Sequence, residues 1–213
     1  MRRLLNAIVL IVAVALLGAG CTPALSTTTG LGDGNPTEDL YSAARRTLAA
    51  SSFHVDTSYR AVPGDSSSGT IDYQAPGRLH ERSGSGGKAQ ELILIGQDFY
   101  LSNGSGRFWL VAGKSAGPSP PLVWLNFTER AQKVRFDGTT YRFEVPPPTP
   151  GVDRQASATG EARIGDGFIQ SLSYRLEMTT GEVLTLSFSF SAFNSGITID
   201  PPPSASIVPD PRL

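Results

Sequence analysis

The sequence predicts an α+β protein, a curved antiparallel β half-barrel with one or two helices packed on its concave face. Three observations carry this prediction. After Ser51, apolar and polar residues alternate with a period of two through one segment after another, which marks strands with one buried and one wet face. One strongly capped amphipathic helix precedes those strands. One short apolar stretch near residue 122 interrupts them. A sheet with a single apolar face and two helices with apolar stripes bury the most surface when the sheet curls over the helices.

The chain opens with Arg2 and Arg3, continues through an apolar run from Leu4 to Leu17, and reaches Gly18-Ala19-Gly20 before its single cysteine, Cys21. A basic start, an apolar run and small residues before a cleavage point make an export signal over 1–20. The run of about fourteen apolar residues is short of the ~20 that span a bilayer. Residues 21–35 are rich in Thr, Ser and Gly, too poor in apolar side chains to fold, and read as a flexible tether. About fifteen such residues have an r.m.s. span of ~20 Å, which would keep the following domain near a membrane surface without pressing it on.

The folded domain, 36–203, begins sharply. Asn35-Pro36-Thr37-Glu38 supplies a capping side chain, a proline at the first helical position and a Glu three residues after the cap. Leu40, Ala44 and Leu48 then recur every four residues, so the helix runs from about 36 to 50 with a narrow apolar stripe. Phe53, Val55, Thr57, Tyr59 and Ala61 alternate with polar residues, Gly64 to Gly69 reads as a turn, and Ile71 and Tyr73 continue the pattern. Pro76-Gly77 breaks the chain before a polar strand from Arg78 to Ser83. Leu92 to Ile95 and Phe99 to Leu101 flank a Gly96-Gln97-Asp98 turn, and Phe108 to Val111 follows Asn103-Gly104. A short helix over about 121–132 carries Trp124 and Phe127, and Tyr141, Phe143 and Val145 resume the alternation.

The C-terminal hairpin is the clearest. Leu172, Tyr174, Leu176 and Met178 share one face, as do Leu184, Leu186, Phe188 and Phe190. For both sets to lie on the same side of the sheet, paired residue numbers must add to an even value; Met178 opposite Leu184 satisfies this with an odd-length loop. The Ser/Thr rows between them read as a solvated face rather than catalytic serines. The Pro-rich tail, 204–213, reads as disordered.

Composition excludes several classes. Lys and Arg total 18 against 19 Asp and Glu, and loss of Arg2 and Arg3 with the signal makes the balance more acidic, so nothing forms a basic face for nucleic acid. One cysteine allows no disulfide framework and no Cys-ligated metal site. His54 and His80 sit on polar sides of strands without paired ligand spacing, so no metal and no cofactor is expected. Gly113-Lys114-Ser115-Ala116-Gly117 matches the serine-hydrolase pattern. However, prolines at 118, 120 and 121 prevent a helix directly after it, and both histidines precede Ser115, against that family's order. The protein therefore reads as non-enzymatic.

Two resemblances add function. The small residues before Cys21 resemble the lipobox of bacterial lipoproteins, with Gly18 where the commonest lipobox has Leu. This implies that the Cys21 thiol is acylated and anchors the chain at the outer face of the cell membrane. The second rests on order along the chain. A capped helix leads into Ser52-Phe53-His54-Val55; Tyr73 to Arg78, Ile95 to Tyr100 and Trp109, the helix near 122 and Gly196 to Pro201 follow. Together these resemble the LppX/LprA/LprF/LprG family of actinobacterial envelope lipoproteins, with their LolA/LolB-like fold. That resemblance implies an acylated lipid or lipoglycan ligand held between sheet and helices, and an envelope transporter as a partner. Candidate pocket residues are Leu40 and Leu48 from the first helix and Trp124 and Phe127 from the second. The sheet adds Leu172, Tyr174, Leu176, Leu184, Leu186, Phe188 and Phe190. The same residues could instead fill a solid core, which would make the chain an anchored envelope interaction or assembly module without lipid.

Overall fold

The structure, a computed structural model, describes residues 34–85, 88–102, 104–111, 120–147 and 155–208. The expected signal over 1–20, Cys21, the tether up to residue 33, the stretch around Ser115 and the last five residues lie outside the described residues.

Helix α1 spans Pro36–Leu48. Its start is fixed locally, because the Asn35 side-chain oxygen accepts from the Thr37 N–H at 3.1 Å and Pro36 occupies a position with no donor to satisfy. Glu38 and Asp39 stand in the first turn and Arg45 and Arg46 in the last, each sign matched to the helix dipole. Leu40, Ala43, Ala44 and Thr47 are buried, and the two alanines let the helix backbone approach the sheet. Thr47 is the tie. Its hydroxyl donates to the Ala43 carbonyl (2.8 Å) and accepts from the Ile169 N–H (2.9 Å) in a fully buried position. Thr47→Val keeps the shape but strands that N–H, so urea denaturation is expected to show a loss of about 1–3 kcal/mol.

One sheet holds all the strands: β1 (Ser52–Val62), β2 (Ser66–Gln74), β3 (Arg78–Ser85), β4 (Lys88–Ile95), β5 (Asp98–Ser102) and β6 (Phe108–Val111) form its first half. The second half is β7 (Gln132–Phe136), β8 (Tyr141–Glu144), β9 (Gln155–Gly165), β10 (Phe168–Met178) and β11 (Val183–Ser191), with β12 (Ile207–Val208) at the far edge. The order is β12-β6-β5-β4-β3-β2-β1-β11-β10-β9-β8-β7. Two antiparallel meanders thus meet where β1 pairs with β11, Val55 opposite Phe190 and Tyr59 opposite Leu186. The sheet is open and curved. Among the described residues its one parallel pairing is β12 on β6.

Helix α2 is Pro120–Phe127, followed by a 3-10 turn at Thr128–Arg130 that the buried Thr128 closes by donating to the Leu125 carbonyl (2.6 Å). α1 rests on β7, β9 and β10. Together the helices cover the concave face there, and the main core forms between them and the sheet around Leu40, Phe53, Val55, Leu125, Ile169, Leu172 and Tyr174.

Four details differ from the sequence reading. The turn expected at Gly64–Gly69 is shorter, because Ser66, Ser67 and Ser68 already pair with Arg60, Tyr59 and Ser58. The hairpin keeps its parity but slips by two: Leu176, not Met178, faces Leu184. Its three-residue loop, Thr179-Thr180-Gly181, sets that register, with Gly181 at φ +83° and the Met178 N–H bonded to the Glu182 carbonyl. The strand at 155–165 was not singled out; its buried face carries Ala158, Gly160 and Ala162 rather than large apolar residues. A Cβ at Gly160 would run into the Phe143 ring, so the small residue makes room for its cross-strand neighbour.

The fourth difference is the tail. Within the described residues it is ordered, with a 3-10 turn at Ser204–Ser206 and β12 paired to Phe108 and Trp109. The segment from Ile197 returns along the convex face, where Ile199 joins Ile93, Tyr100 and Phe108 in a second small core. Gln74 accepts from the Ile199 N–H and Arg78 donates to its carbonyl, both at 2.8 Å. Isoleucines at 197, 199 and 207 outweigh the prolines around them, since the back of β4–β6 offers them an apolar surface.

Candidate functional site

The concave face divides into a sealed part and an open part. Under the helices Leu40, Phe127, Leu172, Tyr174, Leu176, Phe188 and Phe190 are all buried. Trp124 knits this region together, its ring 4.8 Å from Phe127, 5.2 Å from Tyr174 and 6.3 Å from Phe188 by centroid. The Tyr174 hydroxyl donates to the Trp124 carbonyl at 2.7 Å, which fixes α2 to β10, and complete burial pushes that phenol well above its ordinary pKa. Leu48, Trp124, Leu184 and Leu186 lie at the margin, packed against this core yet partly in contact with solvent.

The open part continues across the first meander. By strand alternation and register, the concave face carries Leu92 and Leu94 on β4, Phe99 and Leu101 on β5, and Trp109 on β6. Each is half-buried. These five were not among the candidates, although Leu92 to Ile95, Phe99 to Leu101 and Trp109 were read as strand residues. Only the register, Leu101 opposite both Leu92 and Trp109, shows that they form one apolar wall across β4–β6, while Leu184 and Leu186 lie apart from it, in line with Ala61, Tyr59 and Ser67.

One charge interrupts that wall. Glu81 on β3 stands between Ile71 of β2 and Leu92 of β4, on the concave side. It has no hydrogen-bond or ion-pair partner among the described residues, and burial raises its carboxyl above the ordinary carboxylate value. Its chain neighbours face the other way and are engaged. Arg82 lies 3.5 Å from Glu91 and 3.7 Å from Asp72, while His80 lies 2.6 Å from Glu91. The linkage has a definite sign. The folded protein takes up the Glu81 proton at a pH where the unfolded chain is still ionised, so stability rises as pH falls through the folded value. The gain is complete below the ordinary carboxylate range. Urea midpoints measured from pH 7 down to pH 4 are expected to show Glu81→Gln as more stable than the original chain at the top, with the difference closing towards the bottom.

The two histidines belong to the convex face. His54 Nδ1 is 2.6 Å from Asp72 and His80 Nε2 2.6 Å from Glu91, with Arg82 between the two carboxylates. These cross-strand pairs form a charge ladder over β1–β4. Among the described residues no group of three or more His, Cys, Asp or Glu is arranged to hold a metal ion, and no helix there is long and apolar enough to cross a membrane.

No family model matches the sequence, and no curated protein matches it. Solved structures do match. LprF from Mycobacterium bovis superposes with a TM-score of 0.52 at 13% identity, over 78% of this chain and 96% of LprF. A DUF1329 family protein from Desulfovibrio piger gives 0.36 at 11% identity, over 77% and 95% of the two chains. The LolA superfamily protein NE2245 from Nitrosomonas europaea gives 0.30 at 13%, over 78% and 94%. The match to LprF shows that the chain has an LprF-like fold, an open, curved half-barrel.

Proposed function

We propose that this chain is a non-catalytic lipoprotein that holds an acylated lipid or lipoglycan in the trough of its sheet, anchored through acylated Cys21 at the outer face of the cell membrane. The observation that supports this most is the set of half-buried apolar residues on the concave face, Leu92, Leu94, Phe99, Leu101 and Trp109 on β4–β6 with Leu184 and Leu186 at the helix margin, which the fold leaves partly open. The LprF-like fold supports it too. Burying an acyl chain is worth ~0.8 kcal/mol per CH₂ against water, but a bilayer offers nearly the same. Transfer between membrane and trough is then close to balanced, which suits a carrier that loads and unloads. Two or three acyl chains on Cys21 hold the protein stably where one would bind only marginally. A carrier also needs a receiver, and an envelope transporter would fill that role.

Native mass spectrometry of the full-length protein purified from its membranes tests this. Noncovalent acyl-lipid adducts are expected above a covalent mass at Cys21, and Cys21→Ser is expected to remove the covalent mass and keep the adducts. A cargo-free Cys21→Ser protein would overturn the lipid reading. The sealed region beneath the helices favours the second reading, an anchored envelope interaction or assembly module with a solid core, which would then stand.

A further inference from the structure

The open trough changes character along its strands. On β2 the concave positions run Ile71, Gly69, Ser67; on β3 they run Leu79, Glu81, Ser83; on β4 they run Leu94, Leu92, Gln90. All three strands therefore pass from apolar to polar in the same direction. The cross-strand row Gly69–Ser83–Gln90 makes a polar mouth, and Glu81 lies one row inside it, at the level where the apolar wall begins. An amphiphile seated in the trough with its chains on Leu92, Leu94, Phe99, Leu101 and Trp109 would place the joint between chains and polar part beside this carboxylate.

Resting on the lipid reading above, we infer that Glu81 is the polar selector of the trough: it accepts a hydrogen bond from a neutral hydroxyl next to the acyl chains, as in a glycerol or sugar lipid, and rejects an anionic phosphate there. The chemistry is complementary. An ionised carboxylate only accepts hydrogen bonds, so it matches a hydroxyl donor and repels a phosphate. Among the described residues nothing competes for it: Ile71 and Leu92 flank it, and the adjacent cation, Arg82, is held on the convex face by Asp72 and Glu91. An unpaired charge on an apolar wall costs stability, which a bound donor would offset.

The test uses full-length Cys21→Ser protein and four probes with identical acyl chains: diacylglycerol, galactosyl diacylglycerol, acetylated diacylglycerol and phosphatidic acid. The original Glu81 is expected to favour the two hydroxylated lipids over the acetylated one and phosphatidic acid by about tenfold. Glu81→Leu should bring the hydroxylated and acetylated lipids within about threefold while raising the urea midpoint. Glu81→Gln, which still accepts a hydrogen bond, should keep the hydroxyl preference but lose the discrimination against phosphatidic acid. Preference for the galactosyl lipid over diacylglycerol would make the sugar the source of the hydroxyl, and the reverse preference the glycerol. Unchanged selectivity in Glu81→Leu, or no selectivity with Glu81 present, overturns the assignment while leaving lipid binding intact. Failure of all four probes to bind overturns the lipid reading itself. Glu81→Gln carries the test alone if the leucine variant does not fold.

Discussion

Ending the chain at Gly196 is expected to lower the unfolding free energy by about 4–6 kcal/mol, because full burial of an isoleucine is worth about 1.5–3 kcal/mol and three are lost, two of them only partly buried. Ile199 is 3% exposed and seals Ile93, Tyr100 and Phe108 on the convex face, with Ile197 and Ile207 beside it. The truncation also removes the backbone bonds from Ile199 to Gln74 and Arg78 and uncovers the edge of β6. A loss of that size is a large share of the 5–15 kcal/mol that holds a typical domain together, so aggregation through the bared strand edge should accompany it. Ile199→Ala isolates the packing part and should cost about 2–4 kcal/mol. Urea denaturation checks both. A truncated chain with an unchanged midpoint would mean that the segment from 197 contributes nothing to the fold.

A pair of arginine substitutions two residues apart should have opposite consequences. Leu186 and Phe188 lie on the same face of β11, opposite Tyr174 and Leu172. Phe188 is buried under Trp124, so Phe188→Arg places a charge where no water reaches and should destabilise by more than about 4 kcal/mol, enough to prevent folding. Leu186 borders the open trough. Leu186→Arg should leave a folded protein, within about 2 kcal/mol of the original, because a long side chain can carry its charge out to water. Its lipid adducts, however, should fall at least about tenfold, since arginine both fills and polarises the margin between the helix-covered core and the trough. Circular dichroism reports the fold and native mass spectrometry the adducts. If Leu186→Arg unfolds like Phe188→Arg, the trough is filled by the protein's own side chains and the solid-core reading gains.

These two positions show why the fold was more legible than the site. The cap of α1 and the alternation of β10 and β11 are local, since each is enforced by the dihedral preferences and donors of a few neighbouring residues. They are visible wherever the pattern is regular. β9 escaped because its buried face is Ala158, Gly160 and Ala162, a face made small to admit the rings of Phe143 and Tyr174. Its one strong local signal is Asp166-Gly167, a two-residue hairpin turn with both residues at positive φ. Sealed and open residues are indistinguishable in the sequence for a different reason. Leu172 and Leu186 look alike along the chain, and only the position of α1 and α2 above the sheet separates them. Glu81 was hidden similarly, as one more charge in a polar strand until its register placed it between Ile71 and Leu92.

By itself the sequence determined a capped helix, a one-sided sheet and the parity with which its last two strands must pair, because periodicity and turn chemistry act over a few residues. The tertiary structure alone decided which apolar side chains are covered, which carboxylate is buried without a partner among the described residues and where the isoleucine-bearing tail lies. Each of those depends on segments far apart in the chain arriving at one surface. Coverage is a property of the assembled sheet and helices, and no strand carries it alone.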